Sequence, residues 1–179
     1  MDLIASFSAH KVKSSFFITI DGITPDGILY FLFDTGAVCS IVGLNSLFPE
    51  NNAERLAFTQ LVRDELSIEN ISPRSESLRT ANNQKLLTYP CVCHDVSIEG
   101  TAGRDFYFDF SFEDISLPLL GTSFSDDCSY SHSINSGLNI TGVKADAGKA
   151  YYSGQKVLDF DKVWAAFFIL GVEFPHTSP

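Results

Sequence analysis

The stretch FLFDTGAVCSIV, residues 31–42, has a single carboxylate within an otherwise apolar run. Asp34 follows residues typical of a buried strand and precedes Thr35 and Gly36, which favour a turn. Such an aspartate either begins a tight turn and satisfies its carboxylate locally, or it is a carboxylate held in place for chemistry. A turn with no other function does not need apolar strands on both sides. The context therefore favours Asp34 as a catalytic candidate.

The segments that must position Asp34 are predicted to be mostly strands. SSFFITIDG and GILYFLFDTG predict a hairpin whose second strand ends at Asp34, with turn residues in DGITPDG. Strand character returns in several later runs, and there is no regular alternation with helices. The sequence thus predicts a mostly-β domain, a small barrel or sandwich. The later strand-like runs are CSIVGLNSLFP (a short strand and a turn), SLRTANNQKLLTYPCVCHDVSIEG, RDFYFDFSF, ISLPLLGTSF, LNITGV and KAYYSGQKVL. Within the second of these, Asn82-Asn83 suits a hairpin turn, because Asn tolerates positive φ better than most residues.

Two helices are predicted beside these strands. NNAERLAFTQLVRDEL has apolar residues at helical spacing, and Asn51 or Asn52 can cap its start. DFDKVWAAFFIL predicts a helix that begins at Asp159 or Asp161 and stops at Gly171. This second helix is apolar around most of its circumference, which predicts burial in the core or against another chain. The segment SDDCSYSH is predicted to be solvated and to start a helix.

Composition restricts the possible partners. Twelve basic and 22 acidic residues give a formal charge of −10, which argues against binding to nucleic acid or to anionic membranes. We see no signal peptide and no apolar run of membrane-spanning length. These features predict a cytoplasmic protein with reduced cysteines.

The run Cys91-Val-Cys93-His94 could be interpreted as a metal site. However, it lies in a strand-like segment whose alternate residues point to one face, and no second ligand pair follows at zinc-site spacing. Buried strand thiols are the preferred interpretation. We predict no metal and no cofactor.

Three motifs in order resemble those of the retropepsin-like aspartic proteases, the family of the single-domain retroviral enzymes. They are LFDTGAVCSIV for the catalytic strand and turn, LRTANNQKL for the flap hairpin, and LPLLGTSF for the later apolar-apolar-glycine motif. Together they cover residues 16–124, about two thirds of the chain, and they look especially similar to retroviral-type proteases of microbial genomes. The resemblance implies a closed β-barrel with one or two helices for residues 1–128. Residues 129–179 are expected to form an extension that packs on the same domain or on a dimer interface.

The resemblance also implies a reaction. Two aspartates share a proton, so that one acts as general base toward a water and the other protonates the substrate oxygen. This sequence has one Asp-Thr-Gly, since the DAG at residues 146–148 lacks the strand context, and a chain of 179 residues has no room for a second similar domain. The partner of Asp34 is therefore expected to be Asp34 of a second copy across a two-fold axis. The expected activity is that of a homodimeric endopeptidase acting on polypeptide strands.

Individual roles follow from the same resemblance. Asp34 would activate the water, Thr35 would hydrogen-bond across the dimer axis, and Gly36 would allow close approach of the substrate. Ala37 and the flap residues Ala81, Asn82 and Asn83 would contact the substrate. The motif at Leu119, Leu120 and Gly121 would hold the turn rigid, and Ser40 would brace it by hydrogen bonds.

Two departures from the family pattern leave a second function open. Ala37 lacks the hydroxyl that pepsin-type enzymes have at this position, which predicts activity at mildly acidic to neutral pH. Val38 and Cys39 stand where retroviral enzymes have aspartates that grip the substrate backbone. The alternative function is a catalytically inactive module of the same fold that binds peptides or proteins.

Overall fold

The computed structural model describes residues 17–24, 27–34, 36–44, 52–73, 78–79, 83–112, 117–123, 128–133, 137–144, 152, 154–163 and 165. Helix α1 spans Asn52–Glu65, and a 3-10 turn follows at Ile68–Asn70. The strands are β1 (Phe17–Thr24), β2 (Gly27–Phe33), β3 (Ile41–Gly43), β4 (Leu78–Arg79), β5 (Lys85–Leu86), β6 (Tyr89–Ile98), β7 (Arg104–Ser111), β8 (Leu119–Leu120), β9 (Cys128–Ser133), β10 (Gly137–Val143) and β11 (Leu158–Asp159).

Six of these strands form a closed, mixed barrel. Their order is β1-β2-β8-β3-β7-β6, and an antiparallel pairing of β1 with β6 closes the ring. The ends of β6 have different neighbours on one edge, because Ile98 pairs with Ile20 of β1 while Cys91 pairs with Leu158 of β11. Closure leaves no long unpaired edge in the barrel. The predicted fold class, a mostly-β closed barrel with one or two helices, is confirmed.

Aromatic rings fill the barrel. The alternation in RDFYFDFS places Phe106, Phe108 and Phe110 in the core, where each is essentially inaccessible to solvent. Phe31 packs edge-on against Phe106 with ring centroids 5.6 Å apart. Phe160 makes the same kind of contact with Phe108 at 5.2 Å. The core therefore includes residues from both ends of the described chain.

Strand β8 lies between the two strands that flank the Asp34 turn. Leu32 of β2 pairs in parallel with Leu119, and Ile41 of β3 pairs antiparallel with the same residue. A short strand placed between β2 and β3 contacts both sides of the segment that joins them. The turn at residues 34–40 is consequently held by backbone from more than eighty residues later in the chain.

The end of the described chain packs on the barrel. Residues 160–163 and 165 are helical, and the Asp161 N–H donates to Oδ1 of Asp159 at 3.0 Å, which is the geometry of an N-cap. Phe160 and Val163 are fully buried in the main core. Residues 166–179 lie outside the described residues, and so does the predicted stop at Gly171. Among the described residues, no helix has the length and apolar character needed to cross a membrane.

Two local predictions are wrong. Residues 128–133 form strand β9, paired antiparallel with β10, and not the start of a helix. Cys128 is buried and Tyr130 half-buried, while the serines at every second position are exposed, which is the strand signal that the polar composition concealed. The described part of KAYYSGQKVL is mostly turn and loop, because Gly154 has a φ of +81° that interrupts extended backbone, and only Leu158–Asp159 is strand.

Candidate active site

Asp34 stands where β2 leaves the barrel. Its backbone N–H donates to the carbonyl of Leu120 at 2.9 Å, which extends the β2–β8 pairing by one residue. Its carbonyl accepts the N–H of Ala37 at 3.1 Å and its Oδ1 accepts the N–H of Gly36 at 2.9 Å. The side chain is half-buried. The carboxylate is thus oriented by a backbone donor and still accessible to water.

Gly36 lies close against the carboxylate that it binds. A Cβ at this position would be 3.3 Å from Oδ1 of Asp34, which is tighter than most real Cβ contacts. A side chain here would therefore crowd the oxygen that accepts the Gly36 N–H. Glycine avoids this contact and allows the hydrogen bond of 2.9 Å.

The second half of the turn is fixed by the residues after β8. The N–H of Thr122 donates to the carbonyl of Ala37 at 2.8 Å, and the N–H of Ser123 donates to the carbonyl of Val38 at 2.9 Å. The backbone N–H and C=O of Ala37 are therefore both engaged within the site. Val38 projects outward and is 57% exposed. It presents an apolar side chain next to the turn that contains Asp34.

Ser40 and Gly121 join the turn to β8 from the inside. The Oγ of the buried Ser40 accepts the N–H of Gly121 at 3.2 Å. A Cβ on Gly121 would overlap the backbone carbon and oxygen of Cys39 and lie 2.8 Å from its nitrogen. Only glycine allows the two backbone segments to approach this closely. The predicted bracing by Ser40 is confirmed, and the Leu-Leu-Gly motif contacts the turn, as the resemblance to the protease family implies.

The hairpin formed by β4 and β5 lies over the strand that follows the turn. Leu86 is buried in a small cluster with Cys39 and Ile41, and Leu78 packs against them. Across the hairpin, Nη1 of Arg79 donates to the carbonyl of residue 83 at 3.1 Å. The base of the predicted flap is thus attached to the same backbone that supports Asp34.

The predicted site residues are described in part. Asp34, Gly36 and Ala37 occupy one turn, and Asn83 lies on the β4–β5 hairpin with a φ of +65°, the left-handed conformation that its sequence position predicted. Thr35, Ala81 and Asn82 lie outside the described residues. Their roles stay predictions.

The Cys91–His94 run does not converge on a metal-binding arrangement. Cys91 and Cys93 are buried in β6, as predicted, whereas His94 points outward and pairs with Asp105 at 2.8 Å. Burial raises the pKa of Cys91 well above its usual value and, with nearby carboxylates, raises that of Cys93 to about 12. The hydrogen bond to Asp105 raises the pKa of His94. No group of three or more potential metal ligands occurs within the part of the chain that the structure describes.

Four residues near the site were missed by the sequence interpretation. Thr122 and Ser123 fix the turn through their amides, and their position directly after the Leu-Leu-Gly motif was the available signal. Asp109 and Tyr152 form a buried hydrogen bond behind the turn. A lone carboxylate in the apolar run FYFDFSF was a signal for Asp109, whereas no sequence pattern pointed to Tyr152.

Comparison with known proteins returns similar solved structures. No family model and no curated protein sequence matches the chain. A retropepsin-like aspartic protease from Rickettsia conorii is 18% identical with a TM-score of 0.42, covering 70% of this chain and 88% of its own. EIAV protease, solved with an inhibitor, is 18% identical with a TM-score of 0.34, covering 64% of this chain and 88% of its own.

The name of the first of these proteins is that of the family that the sequence motifs resemble. A fold alone does not specify an activity, which depends on the residues of the turn itself.

Proposed function

We propose that the chain is an aspartic endopeptidase whose catalytic dyad consists of Asp34 from each of two copies. The observation that supports this most strongly is the Asp34 carboxylate. It is half-buried at a strand end, accepts the Gly36 N–H at 2.9 Å, and sits in a turn that β8 braces on both sides. Such bracing holds a reactive group to the small tolerance that catalysis requires.

The chemistry requires a second carboxylate. One aspartate alone can act as a base toward water, but peptide hydrolysis also needs an acid to protonate the carbonyl oxygen of the substrate. Two aspartates at short range share one proton, so the pair supplies both functions and titrates as a unit. Because the chain has one Asp-Thr-Gly, a homodimer is the proposed assembly, with Thr35 joining the two turns across the axis.

The proposed substrate is an extended polypeptide. It would lie between the turn and the β4–β5 hairpin, whose residues Ala81, Asn82 and Asn83 would close over it as the flap, and it would bind through its backbone. Ala37 would line the same space. The exposed side chain of Val38 favours apolar residues in the substrate near the scissile bond.

We extend the proposal to the domain organisation and the compartment. Residues 1–128 would form the protease domain, and the tail from residue 129 would pack on that domain through the buried Leu158, Phe160 and Val163. A cytoplasmic location is supported by four buried cysteines that are all free thiols.

The test compares the wild-type protein with Asp34→Asn, which keeps the shape and removes the carboxylate. Both are incubated with a diverse peptide pool from mildly acidic to neutral pH, and products are identified by mass spectrometry. Sedimentation of each protein gives its oligomeric state. Asp21→Asn is the matched control, because Asp21 is an exposed aspartate on β1 within the same barrel.

Products that disappear in Asp34→Asn and persist in Asp21→Asn would support the endopeptidase. A strictly monomeric protein would exclude the shared dyad. A dimer that binds peptides without cleaving them would favour the alternative, a peptide-binding module, for which the apolar Val38 next to the turn is the structural basis.

A further inference from the structure

A buried carboxylate lies behind the candidate active site. Asp109 of β7 is 0% exposed, and its Oδ2 accepts the hydroxyl of Thr88 at 2.6 Å. Its Oδ1 accepts the hydroxyl of Tyr152, a residue of the tail. Burying a carboxylate is costly unless hydrogen-bond donors replace the lost water. These two hydroxyls are such donors, and each comes from a different part of the chain.

Asp109 is also hydrogen-bonded directly to the turn that contains Asp34. The backbone N–H of Asp109 donates to the carbonyl of Ser40 at 2.8 Å, and the Ser40 Oγ accepts the N–H of Gly121 at 3.2 Å. The carbonyl of Leu120, next to Gly121, accepts the N–H of Asp34 at 2.9 Å. A continuous set of hydrogen bonds therefore connects Asp109 to the backbone of the candidate catalytic residue.

Asp109 is joined to the base of the flap through Thr88. Thr88 follows β5 by two residues and directly precedes β6. Leu86 of β5 is buried against Cys39 and Ile41, the residues on either side of Ser40. The Asp109 carboxylate thus binds Thr88, two residues after Leu86, through which the flap base contacts the end of the turn.

Tyr152 is well placed to make this link depend on the tail. It is buried, its ring stacks on that of Tyr107 with centroids 5.8 Å apart, and its carbonyl accepts the N–H of Gln155 at 3.1 Å. The ring is therefore fixed independently of its hydroxyl. Removing the hydroxyl alone should leave the ring in place and withdraw one donor from Asp109.

We propose that Asp109 is a positioning residue for the active-site turn and the flap base, and that the hydrogen bond from Tyr152 makes this positioning depend on the tail. This inference rests on the proposed endopeptidase function for its kinetic consequence. Its structural consequence, a turn whose order depends on a tail hydroxyl, does not require activity. Neither residue contacts the proposed substrate, and both act through Ser40 and Thr88.

The test uses the full chain with Tyr152→Phe, and with Asp109→Asn as a second, stronger variant. Ser97→Ala is the matched control, because the Ser97 Oγ donates to the Thr101 carbonyl in the turn between β6 and β7, at the other end of the strand that follows Thr88. Ser97→Ala thus resembles the two test variants in that it disturbs one hydrogen bond made by a side chain of the barrel. Amide hydrogen exchange is measured for residues 36–43 and 120–123, under conditions in which circular dichroism shows every variant folded. Peptide cleavage is measured in parallel with a substrate found in the pool.

In Tyr152→Phe we expect the amides of both segments to exchange about tenfold faster, because the loss of one buried hydrogen bond is comparable to one factor of ten. Cleavage should show a kcat about tenfold lower with little change in KM, since a displaced catalytic group affects the transition state more than substrate binding. In Ser97→Ala both segments and both kinetic constants should match the wild type, while the amides around residues 97–101 exchange faster.

Each outcome decides the proposal. Faster exchange in both segments for Tyr152→Phe but not for Ser97→Ala supports it, even if the wild type cleaves nothing, in which case the endopeptidase function fails and the positioning role stands. Unchanged exchange in Tyr152→Phe overturns the positioning role, and so does an increase spread evenly over the barrel, whatever the activity. Should Asp109→Asn not fold, Tyr152→Phe alone gives the decision.

Discussion

Gly121 lies against the backbone of Cys39 with no space for a side chain. A Cβ built there would overlap the Cys39 carbon and oxygen and lie 2.8 Å from the nitrogen, whereas real Cβ atoms essentially never come within 3.0 Å of another heavy atom. The obstructing atoms are backbone, so no side-chain rotation can relieve the contact. In Gly121→Ala, β8 must move away from the turn.

The size of the effect can be worked out from what the displacement disturbs. Inserting one methyl into a closely packed region costs about 1–3 kcal/mol. Moving β8 also weakens the hydrogen bonds from Gly121 to Ser40 and from Asp34 to Leu120, each of which contributes about 1 kcal/mol. We therefore expect Gly121→Ala to lower the free energy of unfolding by about 3–5 kcal/mol, a large part of the stability of an ordinary domain.

Urea denaturation followed by circular dichroism measures this change. With an m-value of about 2 kcal/mol/M, the midpoint should fall by about 2 M. Gly142→Ala is the control, because among the described residues the same methyl on β10 would have only the Ser129 Cβ for a neighbour, at 4.0 Å, and Gly142 has no left-handed φ. It should change the midpoint by less than about 0.5 M.

Equal midpoints for Gly121→Ala and Gly142→Ala would refute the close approach of β8 to the turn. If Gly121→Ala remains folded, it should also be inactive toward any peptide that the wild type cleaves, because the turn is displaced. A folded, fully active Gly121→Ala would contradict the proposed bracing of Asp34 by β8.

Four further predictions test the core and the titrating groups. Iodoacetamide at pH 8 should leave Cys91 and Cys93 unmodified in the native protein and label both after unfolding, and rapid labelling without unfolding would contradict their burial. Since folding raises the pKa of Cys93 from 9.0 to about 12, the stability that this thiol contributes is fully present below pH 9 and is lost as pH rises toward 12, which a denaturation series should detect. The hydrogen bond to Asp105 raises the pKa of His94, so an NMR titration should give a pKa above 6.5 that falls in Asp105→Asn, and an unchanged pKa would exclude the ion pair. The stability that this half-exposed pair contributes is small. It is present below the pKa of His94 in the unfolded protein and is lost as pH rises through the pKa in the folded protein. Phe160→Ala should cost about 3–5 kcal/mol in urea denaturation because its ring fills the barrel core, and a cost below about 1 kcal/mol would show that the tail does not pack there.

Much of the barrel could be predicted from local patterns. The alternation in RDFYFDFS and the turn residues around β1 and β2 specify strands without any knowledge of their partners. Asp159 was one of two predicted caps for the last helix, and its carboxylate does accept the amide two residues later. These features depend on neighbours in sequence, which is why they were accessible.

The β9 strand shows where local patterns were insufficient. Its serines and charged flanks indicated a solvated segment, but pairing with β10 and burial of Cys128 stabilise it as a strand. The partner strand lies several residues further on, and composition does not reveal that the two will pair. The serines at every second position indicate a strand, although they do not indicate where it lies relative to the barrel.

The sequence by itself determined that Asp34 ends an apolar strand and that a Leu-Leu-Gly motif follows much later, because both are contiguous patterns. Only the tertiary structure decided that Leu120, Thr122 and Ser123 hold the two sides of that turn. It alone also brought Thr88 and Tyr152, which are 21 and 43 residues from Asp109, to one buried carboxylate. Periodicity specifies which face of a strand is buried, but the groups that meet there depend on the register between strands distant in sequence.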